Sequence, residues 1–155
     1  KPGGTSAETI CHADLLATTA ALLGEKLPDN AGEDSYNILP ALLGETLSQP
    51  IREATVHHGG DGRLAIRQGD WVFIDSKTGD ANREPAWFKE ERGYQPHNFP
   101  GELYNLREDL AERRNLYGEH PEIVARLKAL LEKYQSDGRS APRAASLNPP
   151  NKSRP

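Results

Sequence analysis

The sequence predicts an α+β fold: a small four-stranded antiparallel sheet packed by a C-terminal amphipathic helix. Three observations lead there. Short alternating or apolar runs at 53–57, 63–67 and 71–74 are separated by tight-turn signals. A fourth short run, Glu102-Leu-Tyr-Asn-Leu106, follows later. Beyond it, Ile123, Val124, Leu127, Leu130, Leu131 and Tyr134 form one stripe of a helix that Pro121 opens.

Each element has its own local cause. Lys1 to Glu8 reads as an extended loop. Asp14 is placed to N-cap a helix over Leu15–Leu23, and Gly24 to end it. Leu15, Leu16, Leu22 and Leu23, with alanines between them, predict a helix buried on most of its surface. Thr18 and Thr19 can return their hydroxyls to the preceding turn. Residues 28–35 read as loop, with Asp29, Glu33 and Asp34 as loop caps, and Pro40 to Gly44 as a single helical turn.

In the sheet, Gly59-Gly60-Asp61-Gly62 is a strong turn signal. Leu64 and Ile66 then share one face of a strand while Arg63, Ala65 and Arg67 take the other. Gln68-Gly69-Asp70 turns the chain again, and Trp71-Val-Phe-Ile74 is apolar enough to be covered on both faces. From Asp75 to Pro100 aromatic residues (Trp87, Phe88, Tyr94, Phe99) punctuate a polar stretch without a period, which reads as a long loop. Asp137-Gly138 stops the last helix, and a Pro-, Ser- and Asn-rich tail from 138 is expected to be extended or disordered. Glu122 near the start of that helix and Lys133 near its end suit the macrodipole.

Composition narrows the function. Of 155 residues, 35% are hydrophobic, so either loops dilute an ordinary core or a partner surface completes it. The formal net charge is −4, and Arg139, Arg143, Lys152 and Arg154 all lie after Gly138, leaving the preceding body more acidic still. That balance argues against nucleic acid as the partner, because phosphate binding needs a basic face. A lone Cys11 excludes an internal disulfide and a multi-cysteine metal site. No apolar run approaches the ~20 residues of a membrane-spanning helix. The chain has no methionine and starts at Lys1, from which a piece of a longer polypeptide is expected.

His57 and His58 are the leading candidates for chemistry, since imidazole changes charge near neutral pH and donates to anionic oxygens. Neighbours on a strand point to opposite faces, which disfavours a shared metal. The competing reading is one packed histidine and one solvated. Arg67 shares a strand face with Arg63, and a guanidinium fork matches sulfate, phosphate or carboxylate, although many surface arginines are merely solvated. Cys11, His12 and Asp14 are too close in sequence for a nucleophile–base–orienter set, and Glu90-Glu91-Arg92 reads as a solvated run. No phosphate-cradling loop, nucleophile elbow or zinc signature is present.

Five segments, in order, carry a family resemblance. They are Cys11-His-Ala-Asp14-Leu-Leu-Ala-Thr18 through Gly24; Glu33-Asp34-Ser35 leading to Leu39-Pro40-Ala-Leu-Leu-Gly44; and Arg67-Gln-Gly69-Asp-Trp71. Glu102-Leu-Tyr104-Asn-Leu106 with Asp109, Glu112 and Asn115-Leu116 follows, then His120-Pro121-Glu122. Over about residues 5–143 the chain resembles the C-terminal region of a formylglycine-dependent sulfatase of the alkaline-phosphatase-like superfamily. The resemblance implies three regions. Residues 1–45 would be the end of a large α/β domain, 46–137 the small sheet-and-helix domain, and 138–155 a basic tail. It implies a hydrolase of sulfate esters whose calcium and formylglycine, along with the catalytic residues, lie in the N-terminal part. The C/S-x-P/A-x-R motif that yields formylglycine is absent. Cys11 is followed by His12-Ala13-Asp14-Leu15, and Ser140-Ala-Pro-Arg143 is one residue short. No catalytic residue and no metal ligand therefore carries over, and the chain is expected to be inactive alone.

By the same resemblance the partner is the N-terminal sulfatase domain of the parent, the substrate a sulfated small molecule or carbohydrate, and the setting periplasmic or secreted. The expected substrate-binding residues are His57, His58 and Arg67. One departure is that Val72 stands where the family commonly has a lysine after tryptophan. The rival reading is a free-standing binding or interaction module without catalysis.

Overall fold

The structure is a computed structural model that describes residues 3–60, 62–77, 85–93 and 98–142. Its elements are α1 (Asp14–Leu23), α2 (Leu39–Leu43), β1 (Thr55–His58), β2 (Leu64–Gln68), β3 (Trp71–Ile74), α3 (Ala86–Arg92), β4 (Glu102–Asn105) and α4 (Pro121–Asp137). They fall into two units, Lys1–Glu53 with Asp137–Pro155, and Ala54–Ser136.

The second unit is a four-stranded antiparallel meander in the order β1-β2-β3-β4. Gln68 pairs with Trp71, so β2 and β3 are joined by Gly69-Asp70 alone, and Gly69 takes φ 59°, the positive angle that two-residue hairpins demand. Ile66, Phe73 and Leu103 face α4, whose Val124, Leu127, Leu131 and Tyr134 recur at helical spacing and join them in one core. Ile123, Leu130, Leu64 and Trp71 pack around its margin. The predicted α+β sheet-and-helix arrangement is therefore present.

Asn115, in the segment after β4, ties that strand to the edge of this core. Its Oδ1 accepts the N–H groups of Leu103 (2.9 Å) and Tyr117 (2.9 Å), and its Nδ2 donates to the Gly101 carbonyl (3.1 Å). A Cβ at Gly101 would lie 2.8 Å from Tyr117 Cε2 and 3.0 Å from Phe73 Cε2, so glycine lets the two rings close over the strand. α3, a seven-residue helix ended by Gly93 at φ 70°, lies within the stretch read as irregular loop. The sequence signal failed there because a helix of two turns is too short to show a period.

In the first unit, α1 and α2 end on Gly24 and Gly44, both left-handed, as expected. Two expectations about α1 do not hold. The residue before the helix is Ala13, and Asp14 is its first helical residue, with a carboxylate committed elsewhere. The buried residues of α1 are Asp14 and Thr18, whereas Leu15, Leu16, Leu22 and Leu23 are exposed. The helix is fixed by its polar side. Thr18 donates to the Asp14 carbonyl (2.6 Å) and accepts from Ile38 N–H (3.1 Å), while Ala17 N–H donates to Ser35 Oγ (2.8 Å).

Residues 139–141, which the sequence places in a loose tail, are tied down. Ser140 donates its N–H and hydroxyl to Asp34 Oδ1 (both 2.8 Å), Tyr36 donates its hydroxyl to the Ser140 carbonyl (2.6 Å), and Ala141 N–H donates to the Glu33 carbonyl (2.9 Å). Paired donors and acceptors hold them where composition suggests disorder. The rest of the expected tail, 143–155, lies outside the described residues, as do Asp61 and Tyr94.

Candidate functional site

β-Strand register decides which of the candidate residues can act together. His57 pairs with Ala65 and Thr55 pairs with Arg67, so these four side chains share one face of the sheet. Arg67 pairs onward with Val72 and Val72 with Tyr104; Ala65 pairs with Ile74 and Ile74 with Glu102. Two rows thus cross that face, Thr55–Arg67–Val72–Tyr104 and His57–Ala65–Ile74–Glu102. His57 and Arg67 are diagonal neighbours at its β1 side.

His58 belongs to the opposite face, with Leu64 and Ile66, the residues turned toward α4. It is exposed at the strand end, with its Nδ1 3.0 Å from the Gly59 carbonyl. His57 is exposed as well. Arg67 is half-buried, and its Nε–H donates to the Gly69 carbonyl (3.0 Å), which orients the guanidinium beside the β2–β3 turn. The β1–β2 turn is closed by Gly59 N–H on the Arg63 carbonyl (2.8 Å). Val72, at the position of the family's lysine, is buried.

At the β4 side of the same face, the Tyr104 hydroxyl donates to Glu102 Oε2 (2.7 Å). Nearby, Glu112 holds φ 53°, a left-handed angle unusual for a side chain with a Cβ. Burial, then the Glu102 and Asp109 carboxylates, pushes its carboxyl above the usual range. Asp109 Oδ2 accepts the N–H groups of Arg113 (2.6 Å) and Arg114 (2.8 Å), which folds the segment around Glu112. In the first unit, burial raises the Tyr36 phenol despite its bond to Ser140 and the nearby Arg52 cation.

Two groupings escaped the sequence reading. Arg52 pairs with Asp14 and lies over the Tyr36 ring, 4.4 Å from its centroid. Asp14 also accepts the N–H groups of Cys11 (2.8 Å) and Tyr36 (3.1 Å). Arg52 carries no local pattern that would mark it. Asn115 sits inside a quoted motif, but a motif does not say which amides it serves. Among the described residues, no three His, Cys, Asp or Glu side chains are grouped so as to hold a metal ion. Among the same residues no helix is long and apolar enough to cross a membrane.

No family model matches the chain. It is 38% identical over 119 residues to an N-acetylgalactosamine-6-O-sulfatase of Bacteroides thetaiotaomicron, a match covering 77% of this chain and 22% of that protein. A solved structure from the metabolism of multiple glycosaminoglycans by Bacteroides thetaiotaomicron superposes with TM-score 0.61 at 36% identity, over 79% of this chain and 24% of that one. A 2-O glycosaminoglycan sulfatase shares the fold with TM-score 0.51 at 23% identity, over 86% of this chain and 27% of that one. The chain thus spans about a quarter or less of the length of the first relatives it matches. In sequence and in fold, it matches the C-terminal region of a sulfatase.

Proposed function

We propose that the chain is the C-terminal part of a sulfuric ester hydrolase and works attached to the N-terminal sulfatase domain of the same parent. The carrying observation is the 38% identity to an N-acetylgalactosamine-6-O-sulfatase along most of this chain. The substrate class is a sulfated carbohydrate, with a 6-O-sulfated amino sugar as the first compound to try. The nucleophile, the calcium and the formylglycine belong to the parent's N-terminal part, so the chain by itself does not turn over.

Its role is to line the substrate cleft. His57, His58 and Arg67 are the binding residues, and the shared sheet face of His57 and Arg67 supports those two as a pair. A guanidinium and an imidazole on one face can hold sulfate or carboxylate oxygens by charge-assisted hydrogen bonds, each contributing about 1.5–3 kcal/mol. His58, on the other face, would meet a different part of the substrate.

The test is steady-state kinetics of the longer enzyme with a 6-O-sulfated amino sugar. His57→Ala and Arg67→Ala should raise KM more than they lower kcat, because both groups grip the ground state as well as the transition state. Unchanged kinetics for His57→Ala, His58→Ala and Arg67→Ala would remove the cleft role. Absence of sulfate release from any sulfated sugar would remove the hydrolase assignment.

A further inference from the structure

Three arginines from three parts of the second unit converge on the β2–β3 turn. Arg67, in β2, donates its Nε–H to the Gly69 carbonyl (3.0 Å). Arg107, just after β4, brings its Nε to 2.9 Å from Asp70 Oδ2. Arg126, on α4, donates to Gln68 Oε1. Gln68, Gly69 and Asp70 thus hold one guanidinium each. A guanidinium carries five N–H donors, so each hold occupies a small part of the fork and directs the rest. Arg107 and Arg126 are exposed, and Arg67 is half-buried. Asp70 is the acid of the turn itself. Glu108 follows Arg107, and Glu122, one helical turn before Arg126, has its Oε1 3.5 Å from His120 Nδ1. The three cations outnumber the turn's acid, which makes a basic spot on a chain whose formal net charge is −4.

We propose that the β2–β3 turn is an anion subsite for the substrate chain, in which Arg107 and Arg126, with Arg67, hold sulfate or carboxylate groups on the sugar units next to the hydrolysed one. The inference rests on the sulfatase reading above and extends its substrate from one sulfated sugar to a charged oligosaccharide. Guanidinium forks match the paired oxygens of either group. Arg67 and Gln68 leave opposite faces of β2, so Arg67 and Arg126 bracket the turn instead of meeting at one point. That arrangement suits anions carried on successive units of a chain rather than a single chelated ion. Because the turn already orients the three forks, binding has less side-chain freedom to remove. Arg67 also shares the sheet face of His57, which makes the turn continuous with the proposed cleft.

The test uses the longer enzyme and two substrates. One is a 6-O-sulfated amino sugar alone; the other is a tetrasaccharide presenting the same sugar beside units that bear sulfate and carboxylate. Arg107→Ala with Arg126→Ala should raise KM for the tetrasaccharide about fivefold, the scale of two exposed ionic contacts. KM for the single sugar should not move, nor should kcat for either substrate. Asp70→Asn, which removes the acid but keeps an acceptor for Arg107, should lower the tetrasaccharide KM. Added salt should erase the tetrasaccharide's advantage in the native enzyme. Tetrasaccharides without the neighbouring sulfates, or with the carboxylates reduced to alcohols, then identify the group held, as the one whose removal abolishes the effect of the double variant.

A double variant that treats the tetrasaccharide as the native enzyme does, an equal rise in KM for both substrates, or an effect that survives removal of both kinds of anion would each overturn the subsite. If neither substrate releases sulfate, calorimetric titration of the longer enzyme with the tetrasaccharide separates the two readings. Weaker binding by the double variant would leave the anion subsite standing and overturn the hydrolase assignment, whereas equal binding would overturn both.

Discussion

The Arg52 guanidinium meets the Asp14 carboxylate where the two side chains are 4% and 0% exposed. Asp14 also accepts the amides of Cys11 and Tyr36, so a single carboxylate joins the start of α1, the chain before α2 and the segment leading to the sheet. A buried pair adds little net stability over an apolar replacement, but losing one partner strands the other charge.

Asp14→Ala should therefore destabilise by about 3–5 kcal/mol, and Arg52→Ala by a similar amount, each leaving one uncompensated charge. The double variant Asp14→Leu/Arg52→Met should cost less than either single change. Urea unfolding followed by circular dichroism checks the cycle; strict additivity would show that the two side chains are not coupled.

Asn115→Ala strands two amides and a carbonyl beside the core, each worth about 1–3 kcal/mol when left unsatisfied in a buried site. A loss of roughly 3 kcal/mol or more is expected in the same unfolding measurement, at the lower end of that range. Asn115→Asp should fall between the wild type and alanine, since its oxygen still accepts from Leu103 and Tyr117 while the donor to Gly101 is gone.

Gly101→Ala forces a methyl against Tyr117 and Phe73. Overpacking of this kind costs about 1–3 kcal/mol. Adding Phe73→Leu should recover part of the loss by opening space; no recovery in thermal melts would place the strain elsewhere.

Glu112 ties stability to pH. Its folded carboxyl titrates higher than in the unfolded chain, through burial first and the Glu102 and Asp109 charges second. The folded state consequently holds that proton more firmly, and this contribution is fully present below the unfolded carboxyl range and lost as pH rises through the folded value. Glu112→Gln should melt higher than wild type at pH 7, with the gap closing in acid. Glu112→Gly should also stabilise, because glycine accepts φ 53° without the left-handed cost of about 1–2 kcal/mol. Equal melting of wild type and Glu112→Gln at every pH would discard the linkage.

Much of the fold was legible because local chemistry repeats it. Gly24, Gly44 and Gly69 mark left-handed turns, and the Val124–Leu127–Leu131–Tyr134 stripe marks the core side of α4. The alternation at 63–67 set Ile66 and Arg67 on opposite faces, and the structure buries Ile66 and half-buries Arg67. α3 was not legible, and neither was the tie between Ser140 and Asp34, a contact across more than a hundred residues that no local pattern encodes.

On its own, the sequence determined which side chains share a face, since the periods of helix and strand are properties of the backbone. It placed His57 opposite His58 and set Leu64 and Ile66 on the other side of their strand from Ala65 and Arg67. Tertiary structure decided what each face meets. The β1–β2 register put His57, not His58, beside Arg67. Burial of Arg52 drew Asp14 from capping into an ion pair and left the leucines of α1 outward. A period fixes relative direction along one element, whereas inside and outside are set by neighbours far away in the chain.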